Sequence, residues 1–377
     1  MRGLCLAMGC LLGGGVLAAH GAAPTAELVV HEWGTITTVH AADGTPQVGL
    51  NKIDASDVLP PFVHRYEPES TRFDPAKKLA KSPLVPGRPD VSMRLETPVI
   101  YFHPPAGFDS PIDVSVLFRG GVINEFYPAA DADVYLDVAR ITDKQTAGAI
   151  AREWTGETLN NFVLGSLQWR GVRLHSTVVA PLTNDPVWLA PREPQSASVY
   201  LPEAGEGERY LFYRGVAALG ALLQTRHSRG AVQLMSPPNL AWLETESLVV
   251  PRIWLVEAGA EGAIAFREQA ALTLRKKAPG KELARLRRFS AQDLAAANLK
   301  PLRASLKTAL IGQGLFADEA EAMLNTWKHS YFEKPGLRVF YIVPRPWTEH
   351  FLPLTLSVPA RVERVIIGRI DLLPMPQ

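Results

Sequence analysis

Cysteine is nearly absent. The 377 residues contain two, Cys5 and Cys10, both within the first ten positions. Charge of one sign is lacking too, with 39 Lys+Arg against 38 Asp+Glu, so there is no overall basic field to draw in a nucleic-acid partner. After the first twenty residues no run of 18 uninterrupted apolar residues occurs, and no later transmembrane span is expected. Gly-rich phosphate loops, HExxH and a complete EF-hand loop are all missing. Asp131, Asp133 and Asp137 have suggestive spacing, but the loop glycine and distal glutamate are not there. Disorder is excluded by the opposite measure: 47% of residues are hydrophobic, enough to bury a core.

What is present begins with an export signal. Met1-Arg2 starts a short apolar stretch from Gly3 to Ala19, followed by small residues at Gly21, Ala22 and Ala23. Residues 1–22 read as a cleaved signal peptide, and the product as periplasmic or extracellular. Cleavage removes both cysteines, which leaves a cysteine-free mature chain without disulfides, thiol nucleophile or Cys-ligated zinc. It also removes Arg2, leaving 38 basic against 38 acidic residues.

The mature chain reads as β-rich α+β, with antiparallel β-sandwich-like units and a helical segment in the C-terminal half. Residues 27–135 form the first β-rich domain. Residues 136–377 form a second, containing the helical segment 275–332. Leu28–Val39 is β-branched and ends at the Asp43-Gly44 turn signal. Along it His31, Trp33, Thr35 and Thr37 share one face, and Val30, Glu32, Gly34 and Ile36 the other. Residues 54–90 read as a long loop and Thr142–Trp154 as a helix. Ser290–Asp293 resembles a capping box, Pro301–Gly312 a helix, and Ala317–His329 a helix with Ala320, Met323, Leu324 and Trp327 along its apolar stripe.

Four stretches occur together: His31-Glu-Trp-Gly-Thr35, Glu96-Thr-Pro-Val-Ile-Tyr-Phe102, Phe212-Tyr-Arg-Gly215, and Met323–Ser330 leading into Gly336–Pro344. In order and spacing they resemble an uncharacterised group of exported bacterial proteins that carry an N-terminal His-Glu-Trp-Gly-Thr strand. The resemblance spans nearly the whole mature chain and implies one shared architecture. It carries no catalytic role to any position.

Without cysteine, imidazole and carboxylate are the good transition-metal ligands left. Of the eight mature histidines, His31 and His103 are the candidates for a divalent metal: His31 opens the motif strand and His103 is held just before Pro104-Pro105. Glu244 and Glu246, beside Trp242, would share a strand face and suggest carboxylate-assisted glycosidic chemistry. Ser228, in Arg226-His-Ser-Arg-Gly230, reads as a surface turn, because Arg226 stands where a nucleophile elbow needs glycine. Glu32, Glu96 and Glu125 lie in apolar strands and need cationic partners, with Arg119, Arg214 and Arg338 as candidates.

The leading functional expectation is a binding or interaction protein of the envelope, with a glycan or envelope protein as partner. Its groove is composed of His31, Glu32, Trp33, Glu96, Tyr101, Tyr213, Arg214, Trp327, Arg338 and Tyr341. The alternative is a secreted hydrolase, metal-assisted through His and Glu ligands or carboxylate-assisted. The cationic run over 275–288, read as a helix, offers contact with an anionic surface.

Overall fold

β1, Val29–His40, is buried along almost its whole length, and its β-branched alternation explains why. In the computed structural model, which describes residues 27–50, 59–66, 90–137 and 162–375, β1 lies in the middle of a nine-stranded sheet. The other strands are β2 (His64–Arg65), β3 (Met93–His103), β4 (Gly121–Tyr127), β5 (Leu211–Ala217), β6 (Ile253–Ala258), β7 (Ile264–Gln269), β8 (Gly336–Ile342) and β9 (Arg361–Leu372). Their order is β7-β6-β8-β9-β1-β3-β5-β4-β2. Every pair is antiparallel except β1 with β9, which run parallel.

Strands from both sides of residue 135 interleave in this sheet, so the boundary drawn there from sequence does not divide it. The expected β-rich α+β class with antiparallel sheets and a C-terminal-half helical segment is what forms. The signal segment, the helix expected over Thr142–Trp154 and most of the loop expected over 54–90 lie outside the described residues. Within that loop, His64–Arg65 forms β2 on the edge of the sheet, with Leu59 and Val63 buried beside it.

Each face of the sheet is covered differently. Val30, Ile36, Ile100, Phe102, Tyr213, Val339, Tyr341 and Ile366 pack against a second antiparallel sheet that includes Ile112–Arg119 and Val163–His175. A small sheet of Gln224–His227, Ala231–Met235 and Glu282–Arg287 joins the same core. Ser228 is an exposed hairpin turn there, as its sequence suggested. The opposite face presents Trp33, Val99, Tyr101, Phe212, Trp254, Phe340 and Val365 to two helices. Helix α1, Leu299–Gly312, contributes Leu302, Leu306 and Leu310, one buried leucine every fourth residue. Helix α2, Ala317–Thr326, contributes Ala320, Met323 and Leu324, and a π-turn over His329–Glu333 follows it.

The helical segment starts at Ala291 with a short 3-10 turn, capped by Ser290 and Asp293 as expected, and not at residue 275. Residues 275–288 are strand and turn: Leu272–Arg275 and Glu282–Arg287 flank a turn at Gly280, whose φ is +66°. Leu272, Leu274 and Leu286 turn inward at strand spacing, which outweighs the helical reading of the lysines and arginines. The cationic helix face expected to meet an anionic surface is therefore not formed.

The motif glycine has a local reason. β3 carries a bulge opposite Trp33–Thr35, with Thr97 in the left-handed region at φ 46°. A Cβ on Gly34 would lie 3.0–3.2 Å from Pro98 atoms. Gly34 and the Thr97-Pro98 pair thus interlock two of the four motif stretches.

His40 closes β1, fully buried, with Nδ1 hydrogen-bonded to the Thr225 hydroxyl at 2.9 Å. Burial pushes its imidazole down to about 4, so the folded state takes up its proton only below the pH at which the unfolded chain does. Stability from this residue is present above the unfolded value of 6.5 and lost as pH falls through 4, about 3 kcal/mol in all. Urea titrations at pH 7, 5.5 and 4 should show this decline, and a His40→Gln variant should flatten it. An unchanged slope in the variant would refute the assignment.

Candidate metal centre

The register of β1 against β3 pairs His31 with Tyr101 and Val29 with His103. His31 and His103 are thus diagonal neighbours on one face, within reach of each other's side chains. Their ring centroids are 5.1 Å apart. Helix α2 lays its first turn over them. Glu319, in that turn, accepts the Phe316 N–H at 2.8 Å as a helix cap and is fully buried. The same carboxylate meets His31 Nδ1 at 2.7 Å through Oε2 and His103 Nε2 at 2.8 Å through Oε1. Phe316 closes the top, its ring 4.5 Å from that of His31 and 4.8 Å from that of His103.

Burial alone would raise the Glu319 carboxyl, but the hydrogen bonds from His103 and His31 outweigh it and hold the group down at about 2. The carboxylate is therefore ionised throughout the physiological range. His31 and Glu319 are sealed from solvent, whereas the His103 side chain is 16% exposed. On the far side of the His31 ring, Nε2 has no hydrogen-bond partner among the described residues. One ligand atom from each of the three residues falls within 4.8 Å of the others. Two imidazoles and one carboxylate are the donor set of open zinc sites and of non-haem iron sites. A tetrahedral ion with bonds near 2.1 Å needs ligand atoms about 3.4 Å apart. Small side-chain movements from the present contacts reach that spacing.

The remaining residues proposed from sequence do not join this centre, nor do they converge on one groove. Glu32 points to the other face of the sheet, as adjacency to His31 requires. There it accepts Tyr213 Oη–H at 2.5 Å and Arg364 Nε–H at 2.5 Å, all three buried. Glu96 and Arg214 return to the face of His31 but lie nearer the other end of the strands, where Glu96 pairs with Thr35 in register. Burial would raise the Glu96 carboxyl; Arg369 and Arg94, at 3.6 and 3.2 Å, outweigh it and keep it ionised. Arg214 reaches Glu125 at 3.4 Å, and Arg65 reaches the same carboxylate at 3.2 Å.

Arg338 donates to the carbonyls of Ser330, Tyr331 and Lys334, so its guanidinium closes the C-terminal end of the π-turn. Arg119 donates to the His350 carbonyl and pairs with none of the three glutamates.

The aromatic groove is not formed. Trp33, Tyr101, Tyr213, Trp327 and Tyr341 are all buried, because each side chain points from a doubly covered sheet or its helical cover into a core. Tyr101 Oη–H donates to the Pro191 carbonyl, and Trp327 stacks on Tyr331. Glu244 and Glu246 lie in an exposed bend, with Glu246 beside Lys277, so the strand face imagined for paired acids does not exist.

Glu319 is the member of this cluster that the sequence does not single out. Its only signal was an acid in the first turn of a helix, which the helix dipole explains equally well. Arg364, Arg369 and Arg94, the true partners of the motif glutamates, gave none.

Compared with known proteins, the sequence matches no family model, and no curated protein matches it. Among solved structures, a yeast delta-COP-I mu-homology domain complexed with a Dsl1 WxWxV peptide is similar over 92% of this chain and 96% of its own. The identity is 7% and the TM-score 0.26, a likeness that bears on neither fold nor function.

Proposed function

We propose that this is an exported protein that holds a divalent transition-metal ion through His31, His103 and Glu319. One observation carries the reading: three segments, remote in sequence, deliver two imidazoles and an ionised carboxylate to a single point. A structural clamp between α2 and the sheet would need only one such pair. Three protein ligands leave coordination positions open, and the partly exposed edge of His103 is the side from which solvent or a substrate would fill them. That openness favours metal-assisted hydrolysis over a closed structural site, while the buried His31 and Glu319 keep the donor set fixed.

The test is elemental analysis of untagged protein purified without chelator, followed by titration with zinc, iron(II), manganese and copper(II). Near-stoichiometric metal is expected in the native protein. His103→Ala, which removes a partly exposed ligand, should weaken metal affinity by more than about 100-fold, since even residues that only orient ligands account for 10–100-fold. Circular dichroism checks that the variant is folded. Native protein that neither contains nor takes up any of these metals would end the proposal. So would undiminished metal in folded His103→Ala.

A further inference from the structure

A second site lies at the other end of β1 and on the opposite face of the sheet. The last residue of the strand, His40, is nine positions from His31, about 30 Å along an extended chain. Here a cleft of about 530 Å³ opens between the 219–224 and 237–242 segments and helix α3, Arg345–Phe351. Leu222, Leu240, Trp242, Trp347 and Phe351 supply apolar walls, Gln224 and Asn239 bring side-chain amides, and no lining residue is a lysine, arginine, aspartate or glutamate. Trp242 is only half-buried and packs edge-on against Phe351 at 5.3 Å, forming one wall of the opening.

His40 belongs to the same lining. Its side chain is fully buried, Nδ1 is used by Thr225, and Nε2 has no partner among the described residues. A buried polar atom without a partner is costly, so this imidazole nitrogen, in a cleft with no charged lining, marks where a ligand's polar group belongs. We infer that this cleft binds a small, uncharged molecule with an apolar body and a hydrogen-bonding group that meets His40 Nε2. The volume falls within the range of small-molecule sites, and apolar walls with a few placed polar groups are their usual construction. Charge is selected against, because no lining side chain offers a counter-ion and burial keeps the imidazole neutral at pH 7.

The experiment uses the full mature protein and ligand-observed saturation-transfer NMR. The probes are 1-hexanol, 4-ethylphenol and indole, with hexanoate and hexylammonium as charged counterparts and ethylbenzene as the apolar one. Neutral probes should bind, and the charged counterparts at least about 10-fold more weakly. Gly220 lines the mouth, and a Cβ there would meet nothing within 4 Å, so Gly220→Phe should fold normally and abolish binding. In His40→Leu the preference for 4-ethylphenol over ethylbenzene should fall about 10-fold, the loss of one hydrogen bond. The inference is overturned if no neutral probe binds at about 1 mM, if the charged probes bind as well, or if Gly220→Phe leaves binding unchanged. Metal content plays no part in any of these outcomes.

Discussion

Arg364→Met is expected to destabilise the protein by about 3–5 kcal/mol, because it strands the Glu32 carboxylate in a sealed core with only the Tyr213 hydroxyl for company. Glu32 and Arg364 are cross-strand partners in the parallel β1–β9 pair, and both side chains are almost wholly inaccessible. Neither group can recover water when its partner is removed. Replacing both residues, as Glu32→Gln with Arg364→Met, should restore much of the loss, since no ion is then left buried. Urea denaturation of the two single variants and the double variant measures the coupling. A single-variant loss below about 1 kcal/mol would show that the pair is not the buried ion pair described. The same set separates architecture from chemistry. Glu32 faces away from His31, so the folded double variant should keep whatever metal the native protein holds.

Gly368→Ala is the second large effect expected, a loss of about 3 kcal/mol, at the upper end for an overpacked core. Gly368 pairs with Tyr341 across β8 and β9, and the phenol ring lies directly over it. A Cβ at 368 would fall 2.0 Å from Tyr341 Cζ and 2.3 and 2.5 Å from Cε1 and Cε2, far inside any real contact. The ring is buried and cannot swing aside without displacing its neighbours. Tyr341→Ala alone should cost a similar amount through the cavity it leaves. In that background Gly368→Ala should become nearly free, and strict additivity of the two would refute the steric account.

Much of this architecture was legible because strand periodicity fixes which side chains share a face. The alternation in Leu28–Val39 placed His31, Trp33, Thr35 and Thr37 together, and Thr35 indeed hydrogen-bonds Tyr331 beneath the helices. Pairing His31 with His103 was within reach of sequence because both sit on strongly apolar strands. Two things resisted. Partners chosen across hundreds of residues leave no local trace: Glu319 is 288 positions from His31, and Arg364 is 332 from Glu32. Composition also could not tell a buried aromatic from an exposed one. Tyr101, Tyr213 and Tyr341 would line a groove only if one face of the sheet were open, and both faces are covered.

The parallel pairing of β1 with β9 governs the order in which the molecule can be completed. β1 is among the first described segments to leave the ribosome and β9 the last, yet they are neighbours at the middle of the sheet. Until residues 361–372 are made, one long edge of β1 has no partner, and the halves of the sheet cannot join. Such contacts, far apart along the chain, delay folding and leave an adhesive strand edge open meanwhile. Under the export proposed above, that delay would be useful. The nascent polypeptide would stay threadable through a narrow channel until β9 arrives, provided a holding chaperone shields β1 on the way.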